Sequence, residues 1–428
     1  MDAIAGQVAA ELLERSHLLA PDSITEALAE AALPLGISGV RIFLADLQQQ
    51  CLRTLPADTG QGVSSLDIDS TIAGRAYRST RIQVEADGRG GHRIWIPLPD
   101  GADRLGVLEL IAGDTSEGTL ARCRMLASLA GLIVAAKSSY SDTYARARRS
   151  GEMAPQAELA RASIPPRTFA TSQVAVSAAF GPTYELGGDA FDYSLLADRL
   201  HVSVFDATGH DLAAGLLASV AMASCRSSRR AGGTLPDIAV CADRTVAQLD
   251  EDRFVTALLC DLDIAAGRFA WISCGHPPPL LIRGHEVVKE LTGSPQLPLG
   301  LAGLGQPGIA GDGGWPGEPW GDVAAQVCTE QLESGDQVLL YTDGVTEARA
   351  ADGSRFGVEG VSDFIVRDAH AGTPPAEMLR RLNRAIVEYQ DGQPADDSTV
   401  VLLEWVPGPR DRRGVHPPSR LPWGGAPR

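Results

Sequence analysis

The sequence has no apolar run long enough to cross a bilayer. Its longest uncharged apolar stretches, residues 125–136 and 212–225, fall short of the roughly 20 residues a spanning helix needs, so no membrane span is expected. It also lacks a basic N-terminal segment followed by an apolar run: Met1 and Asp2 open an acidic amphipathic stretch. No export signal is therefore expected, and the cytoplasm is the expected location. None of the seven cysteines (51, 123, 225, 241, 260, 274 and 328) stands in a CxxC pair, which argues against a disulfide framework and a zinc knuckle. Basic side chains are scarce, 37 against 54 acidic ones, for a net charge of −17. Residues 171–406 hold 33 acidic and 15 basic groups, a net of −18. Such a surface repels nucleic-acid phosphates and anionic lipid and suits divalent cations, although excess carboxylate also serves solubility alone.

What is present is ordinary soluble-protein composition, 44% hydrophobic and 21% charged over 428 residues. That length calls for two or three domains. In the first 140 residues Ile4, Val8, Leu12 and Leu13 recur at helical spacing, and residues 24–33 do so again until Pro34 and Gly36 stop them. Val40, Ile42 and Leu44 then alternate as in a strand, and strands are expected at 51–55, 94–98 and 105–111 with a short helix at 70–77. Positions 126, 129, 133, 136 and 140, with Ala147 later, form a heptad seam. It predicts a long exit helix that either pairs with its twin in a second subunit or packs on its own sheet. Prolines 155, 165 and 166 close this linker near residue 168.

Beyond it the pattern turns strand-rich. Leu200, Val202 and Val204 alternate into Asp206; residues 254–262 and 268–274 read as a hairpin; 338–341 and 399–405 are short buried strands. Helices are expected at 212–229, 236–249 and 377–390. Antiparallel sheet with segregated helices follows from this order. Residues 300–321, rich in Gly and Pro, read as a surface loop, and 407–428 as a disordered tail.

Four acidic clusters sit at strand ends or turns in this region: Gly187-Gly188-Asp189 with Asp192, Asp206-Ala207-Thr208-Gly209-His210, Thr342-Asp343-Gly344, and Asp396-Asp397-Ser398-Thr399. Singly, each is a turn device. Together they are more informative, because Asp206 and Asp343 directly follow apolar strands and the Asp396 pair directly precedes one. Carboxylates converging at one sheet edge repel one another, and cations are the usual remedy. Oxygen ligands favour magnesium or manganese, and two such ions sharing a carboxylate support phosphoester hydrolysis.

The segments ELGGDAFDY (185–193), FDATGH (205–210), FVTALLCDLD (254–263), SCGHPPPLL (273–281), LPLGL (297–301), DQVLLYTDGVTEAR (336–349) and DDSTVVLL (396–403) resemble, in order, the SpoIIE/RsbU branch of metal-dependent, protein phosphatase 2C-like phosphatases. The resemblance implies an α+β protein whose C-terminal part is an αββα sandwich of two antiparallel sheets flanked by helices. It implies two Mn²⁺ or Mg²⁺ ions, with Asp206 bridging them, the Ala207 carbonyl on one, and Asp189, Asp343 and Asp396 or Asp397 as further acidic ligands, Asp396 being favoured. Asp189, Asp206, Asp343 and Asp396 are the catalytic set. His210 is either a proton donor to the leaving serine oxygen or a solvent-facing loop histidine; His276 is similar to a family-typical position and also reads as a structural turn histidine. Asp211 departs from the small residue common there and reads as a helix cap or an extra charge. The first module resembles a GAF domain through LDIDSTIAGRAYRSTRIQV (66–84) and LGVLELI (105–111).

The resulting division is a GAF-like sensor or dimerisation domain at 1–140, a helical linker at 141–168, a phosphatase domain at 169–406 and a tail at 407–428. The implied substrate is a phosphorylated STAS-type anti-sigma-factor antagonist in a partner-switching pathway, with no nucleic-acid or membrane partner and a homodimer through the first domain and exit helix. Two other readings remain: a catalytically inactive sensor or scaffold of the same fold, and a phosphodiesterase acting on a small nucleotide.

Overall fold

A computed structural model describes residues 3–55, 65–181, 184, 187–250, 252–294, 296–301 and 325–407. The expected loop at 300–321 beyond Leu301, and the expected tail beyond Pro407, lie outside the described residues. The chain divides into two compact units, one reaching Glu152 and the other beginning at Met153.

In the first unit the order is α1 (Ala3–Ser16), α2 (Ile24–Ala32), β1 (Ile37–Ala45), β2 (Cys51–Thr54), β3 (Ser65–Asp67), α3 (Ile72–Ser79), β4 (Gln83–Ala86), β5 (His92–Asp100), β6 (Asp103–Ala112), α4 (Glu117–Ser138) and α5 (Asp142–Arg148). The six strands form one sheet in the order β3-β2-β1-β6-β5-β4. Alternation decides its two faces. Ile42, Leu44, Leu108 and Leu110 turn to α1, α2, α4 and α5, whereas Phe43, Ala45 and Val107 turn to α3, where Tyr77 fills the gap.

The long exit helix is not continuous. α4 stops at Ser138, Ser141 caps a new helix by accepting from the Thr143 amide at 3.2 Å, and Tyr144 is buried with its hydroxyl donating to the Pro21 carbonyl at 2.8 Å. Burying that ring in the core of the first unit turns the seam back instead of extending it. α4 also corrects the expectation drawn from apolar run length. As a 22-residue helix with a mean hydropathy of 1.5 in its best window, it is long and apolar enough to cross a membrane by length and composition, since Arg122 and Arg124 are the only charges between Glu117 and Lys137. Here Cys123, Leu126, Ala130, Ile133 and Val134 bury one face of it in the core.

The second unit runs α6 (Pro155–Ser163), β7 (Thr168–Ala170), β8 (Val174–Gly181), β9 (Asp189–Leu196), β10 (Arg199–Ala207), α7 (Leu212–Arg230), α8 (Leu235–Leu249), β11 (Val255–Asp263), β12 (Arg268–Cys274), β13 (Leu280–Arg283), β14 (Glu286–Glu290), β15 (Cys328–Gln331), β16 (Gln337–Tyr341), α9 (Asp343–Thr346), α10 (Gly357–His370), α11 (Pro375–Tyr389) and β17 (Ser398–Trp405). Its strands make two antiparallel sheets, β15-β12-β11-β10-β9 and β14-β13-β16-β17-β8-β7. The inner faces meet through Val202, Val204, Leu258 and Trp271 from one sheet and Val176, Val338, Val401 and Leu403 from the other. Helices α7 and α8 cover one outer face, and α10 and α11 the other. The expected αββα layering is present. Helix α10, absent from the sequence reading, earns its place by burying Val361, Phe364 and Ile365 at helical spacing.

Candidate active site

The alternation of β10 continues past its apolar residues. Leu200, Val202 and Val204 face the space between the sheets, so Asp206, two residues on, faces it too. In the β9–β10 register Asp206 lies directly opposite Asp189, which places two carboxylates side by side at one end of the inter-sheet core. The second sheet closes the site. Thr342, after β16, donates its hydroxyl to Asp189 Oδ2 at 2.7 Å, and the Thr342 hydroxyl in turn accepts from the Thr399 amide at 2.9 Å. Asp397, just before β17, accepts from the Gly188 amide at 2.6 Å, a bond between residues 209 apart in sequence.

These carboxylates are crowded enough to hold protons. Burial, followed by Asp206 and Asp397, keeps Asp189 well above the usual carboxylate range. Burial, then Asp343, Asp396 and Asp397, pushes Asp206 up to about 8, and Asp206 shares a hydrogen bond with Asp343. Burial pushes Asp397 up to about 7 against the two amides that stabilise its charge. Asp343 keeps contact with solvent, yet protein crowded on its inner side, then Asp396 and Glu347, raises it as well.

The structure therefore brings Asp189, Asp206, Asp343, Asp396 and Asp397 into one electrostatic neighbourhood, with the Ala207 backbone beside it. The Ala207 amide donates to the Gly188 carbonyl at 3.1 Å. The adjacent aspartates differ: Asp397 is 2% exposed, whereas Asp396 is exposed and accepts from the Asp397 amide at 2.9 Å. Among the described residues, no three acidic, histidine or cysteine side chains already surround a single point at bonding distance. The donor set nonetheless fits a hard divalent cation. It is all oxygen, and Asp397 Oδ1 is buried without a hydrogen-bond partner, an arrangement that calls for a positive charge.

Two glycines permit this closeness. A Cβ on Gly188 would stand 2.6 Å from the Gly209 carbonyl oxygen, and one on Gly344 would overlap the Asp397 carbonyl. Gly344→Ala is expected to destabilise the second unit by about 2–3 kcal/mol, read as a lower urea midpoint.

Residues 197–406 match the family model described as Stage II sporulation protein E (SpoIIE). Over those residues the second unit is similar to the SpoIIE family. Among curated relatives, phosphoserine phosphatase RsbU of Bacillus subtilis (strain 168) is 22% identical over 223 residues, covering 52% of this chain and 60% of RsbU. Phosphoserine phosphatase RsbP of the same organism is 23% identical over 239 residues, covering 54% and 52%. The chain thus spans less than two thirds of the length of either relative. Among solved structures, the RsbU and RsbW domains of a Mycobacterium tuberculosis protein are 25% identical, with a TM-score of 0.43, over 55% of this chain and 60% of that one.

Within the second unit, Asp192 parts from the cluster. Three residues beyond Asp189 in a strand, it points to the opposite face, where Arg226 and Arg229 of α7 reach it at 2.8 and 2.9 Å. Asp192→Ala is expected to remove about 3 kcal/mol of stability by leaving two half-buried guanidinium groups without their counter-charge, as measured by chemical unfolding. Asp211 caps α7 by accepting from the Ala214 amide at 2.9 Å and is gripped bidentately by Arg253 at 2.6 and 2.8 Å. That grip, then the cap, holds its carboxyl below the usual range. His210 is exposed beside the site, near enough for its charge to favour ionised Asp397. Arg253 was missed in the sequence, and Thr342 and Thr399, though within the acidic motifs, had no role assigned. Only the facing of the sheets reveals what their hydroxyls and amides hold.

Proposed function

We propose that the chain is a metal-dependent protein serine/threonine phosphatase. The observation that carries the reading is the set of carboxylates at one end of the inter-sheet core, raised by burial and mutual repulsion, in a unit whose residues 197–406 match the SpoIIE family model. Asp189, Asp206, Asp343, Asp396, Asp397 and the Ala207 carbonyl would hold two Mn²⁺ or Mg²⁺ ions. Such ions supply neutralisation of phosphoryl charge and acidification of water.

The chain's own groups prepare that chemistry. Thr342 orients Asp189, the amide of Gly188 orients Asp397, and Asp206 and Asp343 share a proton that they would give up on holding a cation. In the reaction, water oxygen bonds to phosphorus as the serine or threonine oxygen–phosphorus bond breaks. The products are inorganic phosphate and the free hydroxyl.

The substrate we propose is a phosphorylated STAS-domain anti-sigma-factor antagonist in a cytoplasmic partner-switching pathway, in keeping with the phosphoserine phosphatase names of RsbU and RsbP. The first unit, a six-stranded sheet with helices on both faces, would act as a GAF-like sensor or dimerisation domain. In the test, purified full-length protein is given a phosphoserine peptide and p-nitrophenyl phosphate with manganese or with EDTA. Phosphate release from both substrates with manganese, lost in EDTA, is expected. No release with any divalent cation would overturn the assignment.

A further inference from the structure

His276 is not among the clustered carboxylates, yet it is only 6% exposed. A buried imidazole needs partners for two ring nitrogens. Nδ1 lies 2.9 Å from Thr256 Oγ1. Nε2 is buried without a hydrogen-bond partner, and the Tyr341 backbone is the acceptor near enough to favour the charged ring. The residue is fixed from behind: Ser273 donates its hydroxyl to the His276 carbonyl at 2.8 Å. Gly275, at φ +70°, pairs with Ala257 and leaves room for Pro298, whose ring would stand 2.7 Å from a Cβ there.

The ring's bonded partner and its backbone neighbour belong to different sheets. Thr256, on β11, sits directly opposite Asp206 in the register with β10, so the two side chains share a face. Tyr341 is the last residue of β16, and Thr342, which holds Asp189, and Asp343 follow it. A carbonyl only accepts, so a ring nitrogen engaging Tyr341 carries the proton. That leaves Nδ1 to accept from the Thr256 hydroxyl. Burial pushes the ring down to about 4, which keeps it neutral and Nδ1 free to accept from Thr256 under working conditions.

We propose that His276 is a positioning residue for the metal-binding carboxylates, tying the Asp206 strand, through Thr256, to the strand end that leads into Asp343. The inference rests on the metallophosphatase reading above. Its role is distinct from substrate contact, because the ring is buried between the sheets.

The test uses full-length protein and two readouts: the manganese concentration giving half of the thermal upshift, and p-nitrophenyl phosphate kinetics. His276→Ala and Thr256→Val are each expected to raise that manganese concentration about tenfold to a hundredfold, while KM for the substrate changes by less than about twofold and saturating manganese recovers most of kcat. Thr256→Ser, which keeps the hydroxyl, is expected to stay within about twofold of wild type. If His276→Ala does not fold, Thr256→Val decides. A Thr256→Val protein that melts lower but responds to manganese as wild type does would overturn the tie and leave the phosphatase reading standing. A wild-type protein with no manganese upshift would overturn both.

Discussion

Asp206→Asn is expected to abolish manganese-dependent hydrolysis and, in the same protein, to raise the melting temperature of the metal-free form. The two effects share one cause. Asp206 stands opposite Asp189 in register, shares a hydrogen bond with Asp343, and is pushed up to about 8 by burial and three neighbouring carboxylates. An amide keeps the shape and can still donate to Asp343, but it removes the charge a cation would bind. Losing a carboxylate that would hold a cation would forfeit about 4 kcal/mol of transition-state stabilisation, roughly a thousandfold in kcat. Without cation, the same charge only repels its neighbours. Its removal should stabilise the metal-free second unit by about 2 kcal/mol at pH 8, or roughly 4–8 °C. Kinetics with manganese and melts in EDTA measure both. A variant as active as wild type would remove Asp206 from the site; one that is inactive and less stable would mean that its carboxyl is needed for folding.

The second large effect is a reversal of pH dependence by cation. Asp206 and Asp397 rise from an ordinary 3.8 to about 8 and about 7, and Asp189 rises with them. Below about pH 4 these groups are protonated in both folded and unfolded chains and contribute nothing to pH dependence. Between pH 4 and 8 the unfolded chain releases protons that the folded site retains, so stability falls as pH rises, and the loss levels off above about pH 8. On the proposed reading manganese would bind the deprotonated carboxylates, so its stabilisation should grow over the same interval. Melts in EDTA should therefore fall from pH 5 to pH 8, and the upshift from millimolar manganese should be several times larger at pH 8 than at pH 5. The doubly substituted Asp206→Asn/Asp397→Asn protein should flatten both trends. A wild-type profile no steeper than that variant's would show that the cluster does not titrate in this range.

Much of this site was legible beforehand because its parts are local. Alternation of Leu200, Val202 and Val204 carries Asp206 to the inter-sheet face by period two alone. Glycines stand beside Asp189 and Asp343 in the sequence, and in the fold Gly188 and Gly344 sit where a side chain would meet neighbouring backbone. Asp192 was grouped with Asp189 although three residues along a strand reverses the face, and the same parity rule sends it to Arg226 and Arg229. The seam through residues 126–147 misled for a different reason. Heptad spacing describes one helix, and it carries no sign of Ser141 starting another or of Tyr144 turning inward to Pro21.

By itself, then, the amino-acid order determined the strands, their inward and outward faces, and the acidic motifs at their ends, since each depends on neighbours a few residues apart. Tertiary structure decided which acids meet. Asp397 instead of Asp396 turns in to the Gly188 amide, Thr342 becomes the support of Asp189, and His276 comes to lie between Thr256 and Tyr341. These contacts join strands of two sheets brought face to face by burial of the apolar core between them, and no local spacing records which residues will stand opposite one another across that gap.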